Sequence, residues 1–143
     1  MAGYSGRPLV EKLGIKAGYR VLVINAPAAY REMVRPLPDG VSFLRRPARN
    51  ADLIHIFVTR RVDLDKELPR QRQMMPESGV LWISWPKKAS GVSTDVTEDV
   101  IREVALPLGL VDTKVCAVDN VWSGLKLMIR RGERTSPARK GAG

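Results

Sequence analysis

Two adjacent lysines follow an apolar stretch of the chain that contains two tryptophans. Trp85 and Pro86 close that stretch, and Lys87 and Lys88 come directly after them. Two ammonium groups beside the end of a buried strand could hold phosphate or another anion. The alternative is that Pro86 only ends the strand and that both lysines are solvated, as surface lysines commonly are. The lysine pair, with Trp85 beside it, is therefore a candidate anion site.

A hydroxyl-rich segment after the lysines could complete such a site. Ser90 and Thr94 lie between the lysines and a helix that the sequence predicts from about Asp95, with Glu98 three residues later as in a capping box. The first backbone N–H groups of a helix are available to bind an anion. We therefore add Ser90 and Thr94 to the candidate anion site.

The chain contains one histidine and one cysteine. A zinc site, a Ser-His-Asp triad or an internal disulfide would need more such groups. His55 lies between apolar residues, and we expect it to be packed and hydrogen-bonded rather than to act as a general base. Cys116 lies between Val115 and Ala117, and we expect a buried thiol rather than a nucleophile. The sequence thus assigns no catalytic residue, no metal and no cofactor.

Apolar runs alternate with helical patterns along the chain. The runs predict six strands, over residues 20–25, 41–44, 52–58, 79–85, 112–118 and 122–129. Helical patterns occupy residues 8–14, begin near residues 27 and 63, and extend over 95–108. The short link between the last two strands requires an antiparallel hairpin.

This alternation predicts an α/β fold with a Rossmann-like, doubly wound and mostly parallel sheet. We expect about six strands in the order 2-1-3-4-6-5, numbered along the chain, with the last strand antiparallel. That layout resembles a truncated class I methyltransferase core with one unit removed. The likeness concerns the fold and carries no chemistry by itself.

Ligands of such sheets bind beyond the carboxyl ends of the strands, which brings Asn25 and Thr59 to the candidate site beside the lysine pair. A dinucleotide or S-adenosylmethionine site usually has a glycine-rich turn after the first strand. It also has an acidic residue at the end of the second strand. The chain has Ala26-Pro27 at the first position and Arg45-Arg46 at the second. The usual cofactor-binding residues are therefore missing.

Positive charge is concentrated near the carboxyl terminus. The net charge of the 143 residues is +9, and nearly half of it falls between Arg130 and Gly143. We expect one domain over residues 1–131 and a basic, disordered tail over residues 132–143. The tail offers a route to nucleic acid, although charge alone is weak evidence for such binding.

The sequence also allows a prediction of the cellular compartment. No apolar run is long enough to cross a bilayer, and the first residues lack the apolar core of a signal peptide. We therefore expect a cytoplasmic protein that does not contact a membrane.

A set of short motifs is spread along most of the chain. They are Gly3-Tyr4-Ser5-Gly6, Lys12-Leu13-Gly14-Ile15, Asn25-Ala26-Pro27, Trp85-Pro86-Lys87-Lys88, Ser90-Gly91, Thr94-Asp95, Gly109-Leu110-Val111-Asp112, Lys114-Val115-Cys116-Ala117-Val118-Asp119 and Trp122-Ser123-Gly124-Leu125. Together they resemble a bacterial family of unknown function, catalogued as domain of unknown function 3052. The resemblance extends from about Gly3 to Arg130 and implies no activity.

Three functions remain open from the sequence. The first is a non-catalytic domain, on a degenerate Rossmann-like scaffold, that binds a small anionic ligand or a protein partner. The second is a reduced S-adenosylmethionine-dependent, methyltransferase-like enzyme. The third is a nucleic-acid-associated protein. The missing glycine turn and ribose-binding acid favour the first.

Overall fold

The computed structural model describes residues 7–133. Residues 1–6 and 134–143, which include most of the expected tail, lie outside the described residues. The strands, named in chain order, are β1 (Arg20–Ile24), β2 (Ser42–Leu44), β3 (Leu53–Phe57), β4 (Val80–Pro86), β5 (Leu110–Ala117) and β6 (Trp122–Ile129). The α-helices are α1 (Leu9–Leu13), α2 (Tyr30–Met33), α3 (Arg61–Met74) and α4 (Glu98–Ala105).

The six strands form one sheet in the order β2-β1-β3-β4-β6-β5. β1 to β4 run parallel to one another, and β6 is antiparallel to both β4 and β5. The predicted strand order and the antiparallel last strand are therefore confirmed. All four parallel strands end at the same edge of the sheet, which is also the edge at which β6 begins. We call it the carboxyl edge.

Helices cover both faces of the sheet. β3 is buried at all five positions, as expected for a central strand with a helix layer on each side. Ile54 and Ile56 face the layer formed by α3 and α4, whereas Leu53 and Phe57 face the layer formed by α1 and α2. The period of two along a strand thus divides the core into two apolar clusters, one on each face.

A buried tryptophan ties α1 to the sheet. The indole Nε1 of Trp82 donates a hydrogen bond to the backbone oxygen of Leu13, over 2.9 Å. Gly14 ends the helix in the left-handed region, with φ at 80°, as a glycine readily can. This contact satisfies an indole N–H that would otherwise be buried without a partner.

The predicted start of α4 near Asp95 is wrong. The helix begins at Glu98, and Thr97 caps it by accepting the N–H of Val100 over 3.2 Å. The Asp95 carboxylate instead accepts the N–H of Arg61 over 2.6 Å, at the first turn of α3. Asp95 therefore caps a different helix, because its side chain is directed by the packing of two segments that are distant in sequence.

Two other helices also begin away from their predicted positions. α2 begins at Tyr30 rather than near Pro27, whose backbone oxygen accepts the N–H of Tyr30 in the preceding turn. α3 begins at Arg61, two residues before the predicted start at Asp63. Among residues 7–133 there is no helix with the length and apolar character that crossing a bilayer would require.

Candidate functional site

Within residues 7–133, two clefts open at the carboxyl edge, one on each side of the turn that follows β1. Asn25 lines one cleft and Ala26 lines the other, so that the same turn forms a wall of both. Ligands of open α/β sheets bind at this edge, where neighbouring loops diverge. The turn after β1 is therefore the centre of the candidate site.

The first cleft, which we call the Asn25 cleft, has a volume of about 390 Å³. It lies between the ends of β1 and β3 and the beginning of β6. Its walls combine two aromatic rings with three polar side chains. The lining residues are Asn25, Phe57, Val58, Thr59, Asp63 and Trp122.

The backbone of Asn25 is in the left-handed region, with φ at 59°. Asparagine adopts this conformation more readily than most residues other than glycine. It therefore permits a sharp turn at the end of β1 where related sheets often use glycine. In the same lining, the rings of Phe57 and Trp122 meet edge to face, with their centroids 5.0 Å apart.

The second cleft, which we call the Arg31 cleft, has a volume of about 240 Å³ and lies between the ends of β1 and β2. The Arg31 guanidinium stacks over the Phe43 ring, with its carbon 3.9 Å from the ring centroid. The cleft is thus lined by small apolar groups, two aromatic rings and one cation. The lining residues are Val23, Ala26, Pro27, Ala28, Tyr30, Arg31, Phe43 and Leu44.

A buried hydrogen-bond chain lies beneath both clefts. Nδ1 of His55 is 2.9 Å from the Tyr30 hydroxyl, and Nε2 is 2.7 Å from the Ser84 hydroxyl. The His55 ring also stacks on Phe57, with centroids 4.4 Å apart. Tyr30 lines the Arg31 cleft and Phe57 lines the Asn25 cleft. The contacts of His55 therefore hold Tyr30 in the wall of one cleft and Phe57 in the wall of the other.

Burial keeps this histidine neutral. His55 has no exposed surface, and desolvation lowers its pKa from 6.5 to about 3. Desolvation also raises the pKa of the Tyr30 hydroxyl above its ordinary value. A neutral imidazole has one donor and one acceptor nitrogen, which the two hydroxyls can complement. His55 is packed and hydrogen-bonded, as the sequence analysis expected.

Of the candidate site residues predicted from the sequence, Asn25 and Thr59 line the Asn25 cleft. Trp85 does not line either cleft. Its side chain, 8% exposed, belongs to the apolar cluster beneath α3 and α4. The strand period directs it to that face, since Ile83, two residues earlier, packs in the same cluster.

The remaining four candidates lie in the segment that follows β4, outside the lining of the two clefts. The Lys87 N–H donates to the Val121 oxygen over 2.7 Å, which ties this segment to the start of β6. The Ser90 hydroxyl donates to the Lys87 oxygen, and the Thr94 hydroxyl donates to the Thr59 oxygen, each over 2.6 Å. Lys88 is exposed. The two hydroxyls thus stabilise the loop and the junction between β3 and α3.

Sequence reasoning missed several residues of the clefts. Arg31, Phe43 and Trp122 are not among the site residues that the sequence predicts, and Asp63 is predicted only as a helix start. Phe43 and Trp122 lie at the carboxyl edge, near the end of β2 and at the start of β6, whereas Arg31 and Asp63 lie in the first turns of the helices that follow β1 and β3. Their positions at strand ends and in the helix turns that follow are the signal that could have identified them.

Metal-ligating groups and the Cys116 thiol were also considered as parts of a site. Within residues 7–133, no three His, Cys, Asp or Glu side chains are grouped so that they could hold a metal ion. Cys116 is half-buried, and desolvation raises the pKa of its thiol despite the nearby Lys12 and Lys114 ammonium groups. A raised pKa makes the thiolate, which is the nucleophile, scarcer near neutral pH.

No family model matches the chain, and no curated protein matches it. The solved structures to which it is similar include a SAM-dependent methyltransferase from Aquifex aeolicus, with a TM-score of 0.62 and 16% identity over 85% of this chain and 87% of that chain. They also include the DhpI–SAH complex, with a TM-score of 0.56 and 13% identity over 87% and 83%. A ribosomal protein L11 methylase from Lactobacillus delbrueckii subsp. bulgaricus has a TM-score of 0.52 and 11% identity over 86% and 76%. The chain thus has a six-stranded, Rossmann-like α/β fold that is similar to a class I SAM-dependent methyltransferase core with one unit removed.

Proposed function

We propose that this chain is a methyltransferase-like protein that binds an adenosine-containing cofactor across the two clefts, with S-adenosylmethionine as the first cofactor to test. The observation that carries the proposal is the pair of clefts on either side of the turn after β1. In this class of sheet, that turn is where the cofactor is held. The structural likeness favours this function over a non-catalytic anion-binding domain.

The Asn25 cleft suits the cationic end of S-adenosylmethionine. Asp63 is the ionisable residue of its lining, and the Phe57 and Trp122 rings line the same cleft. A carboxylate and aromatic faces both attract a sulfonium or ammonium group. When bound, this cofactor supplies a methyl group that its sulfonium charge activates for transfer. Thr59 and Asn25 would contribute polar contacts at the same end.

The Arg31 cleft suits an adenine ring better than it suits a ribose. A planar ring could stack against the Arg31 guanidinium or the Phe43 ring, and the alanines of the turn leave room for it. The carboxylate that usually binds the ribose hydroxyls is replaced by Arg45-Arg46, directly after β2. We therefore expect S-adenosylmethionine to bind more weakly here than in sites that have the carboxylate.

Calorimetric titration of the full chain tests the proposal. We expect S-adenosylmethionine to bind, and Asp63→Asn to weaken that binding by about tenfold, because a carboxylate facing a cation is lost. Asp65→Asn is the matched control, since Asp65 lies on the same helix but faces Arg61, with Oδ1 3.7 Å from Nε. S-adenosylhomocysteine, whose sulfur is neutral, should be less sensitive to Asp63→Asn. Absence of binding by either compound at millimolar concentration would refute the proposal.

A further inference from the structure

The end of β2 carries positive charge at the place where this class of sheet usually carries a ribose-binding acid. Arg45 and Arg46 follow Leu44, the last residue of β2, and both are exposed. Leu44 itself lines the Arg31 cleft, and Arg31 lines the same cleft from α2. Arg45 and Arg46 therefore directly follow a lining residue of the cleft, and Arg31 forms part of the cleft wall.

These three cations have no acidic partner within residues 7–133. The ion pairs there involve other arginines, namely Arg7, Arg61, Arg70 and Arg102. Arg31 instead stacks on Phe43, which leaves the edge of its guanidinium free for hydrogen bonds. Unpaired arginines around a cleft create a positive potential that favours an anionic ligand.

The chemistry of the guanidinium narrows the class of anion. Its planar set of N–H donors matches the oxygens of phosphate in a bidentate arrangement. In Rossmann-type sheets, an arginine near the end of the second strand accommodates a phosphate on the ribose, where an acid would bind the free hydroxyl. Arg45 follows the turn after β1 at about the usual spacing of twenty residues.

We infer that the Arg31 cleft binds an adenosine ligand that carries a phosphate on its ribose. The inference rests on the proposed function, because it requires that the adenosine group occupy this cleft. It differs from the proposed function in the ligand, since S-adenosylmethionine, the first cofactor to test there, has no phosphate. The adenine would stack on the Arg31–Phe43 pair, and the phosphate would meet Arg31 and Arg45 at the rim.

The test compares ligands that differ in one group. The full chain is titrated with adenosine, adenosine 2′-monophosphate, adenosine 3′-monophosphate, S-adenosylmethionine and inorganic phosphate. We expect one of the two nucleotides to bind at least about tenfold more tightly than adenosine, as charge-assisted hydrogen bonds to arginine would require. Arg31→Gln and Arg45→Gln should each remove most of that preference. Arg70→Gln, which removes an ion pair with Glu67 on α3, is the control and should leave that preference unchanged.

The outcomes separate this inference from the proposed function. If S-adenosylmethionine binds but neither nucleotide binds better than adenosine, the inference is wrong and the proposed function stands. If none of the adenosine compounds binds, both are wrong. Binding of inorganic phosphate as tight as that of the nucleotides would also overturn the inference, because the adenosine group would then play no part.

Discussion

The environment of His55 differs greatly from that of an exposed histidine. It is fully buried between two hydroxyls, and its pKa is lowered from 6.5 to about 3. Between these two values the unfolded chain binds a proton that the folded chain does not bind. Stability is therefore fully present above about pH 6.5 and is lost as the pH falls toward 3.

We expect the free energy of unfolding to be lower at pH 4.5 than at pH 7 by about 2–3 kcal/mol from this residue alone. Urea unfolding at the two pH values measures the difference. His55→Gln is the comparison, because it removes the titrating group and keeps hydrogen-bonding capacity. The variant should be less stable at pH 7 and should depend less on pH across this range. An equal pH dependence in both proteins would contradict the assigned role of His55.

The sequence predicted the burial of His55 but not its partners. A mid-strand position among apolar residues indicates a packed side chain. The partners, Tyr30 and Ser84, lie 25 and 29 residues away along the chain. The three side chains meet only because β3 lies beside β4 and α2 packs against β3. Sequence patterns carry short-range periodicity and hold little information on such contacts.

Among the strands, β6 packs tightly against the Trp82 ring at Gly124. A Cβ atom at this position would lie 3.2 Å from Cε3 of Trp82 and 3.2 Å from Cγ2 of Val118. Trp82 is fully buried and held by its bond to Leu13, so it has little freedom to move. The glycine thus allows the antiparallel strand to pack beside a large fixed ring.

Gly124→Ala should destabilise the protein by about 1–3 kcal/mol, because added volume in a close-packed core forces its neighbours to shift. Gly132→Ala is the matched control, since nothing lies within 4 Å of a Cβ atom there. Thermal or urea unfolding of both variants measures the difference. A loss of stability in Gly124→Ala no larger than that in Gly132→Ala would show that the strand moves without cost.

Strands were easier to predict than helix ends. The apolar runs identified all six strands, and the right-handed crossover rule reduced their possible orders to very few. Helix starts depend on single hydrogen bonds, and here Asp95 has a chemically suitable position for α4 yet caps α3. The sequence shows that Asp95 is a suitable capping residue, but it does not show which helix the residue caps. That depends on the three-dimensional packing of the start of α3 beside Thr94 and Asp95.

In the molecule as a whole, the two clefts and the carboxyl end of β6 lie at opposite edges of the sheet. β6 begins at the carboxyl edge with Trp122 and ends with Ile129 beside the start of β4. Its eight residues span about 25 Å, which exceeds two Debye lengths at physiological salt. In the sequence, Glu133 is followed by residues 134–143, which contain Arg134, Arg139 and Lys140.

Deletion of residues 134–143 should therefore affect nucleic-acid binding and ligand binding differently. The deletion removes three cations, and so any affinity for single-stranded RNA or DNA at low salt should fall, with a shallower dependence on salt. Affinity for the adenosine ligands should change by less than about twofold, because Arg31 and Arg45 are the residues expected to bind the phosphate. Fluorescence anisotropy with an oligonucleotide and calorimetry with the nucleotides measure the two affinities. A tenfold weakening of nucleotide binding on deletion would mean that the terminal cations, rather than Arg31 and Arg45, provide the positive charge at the site.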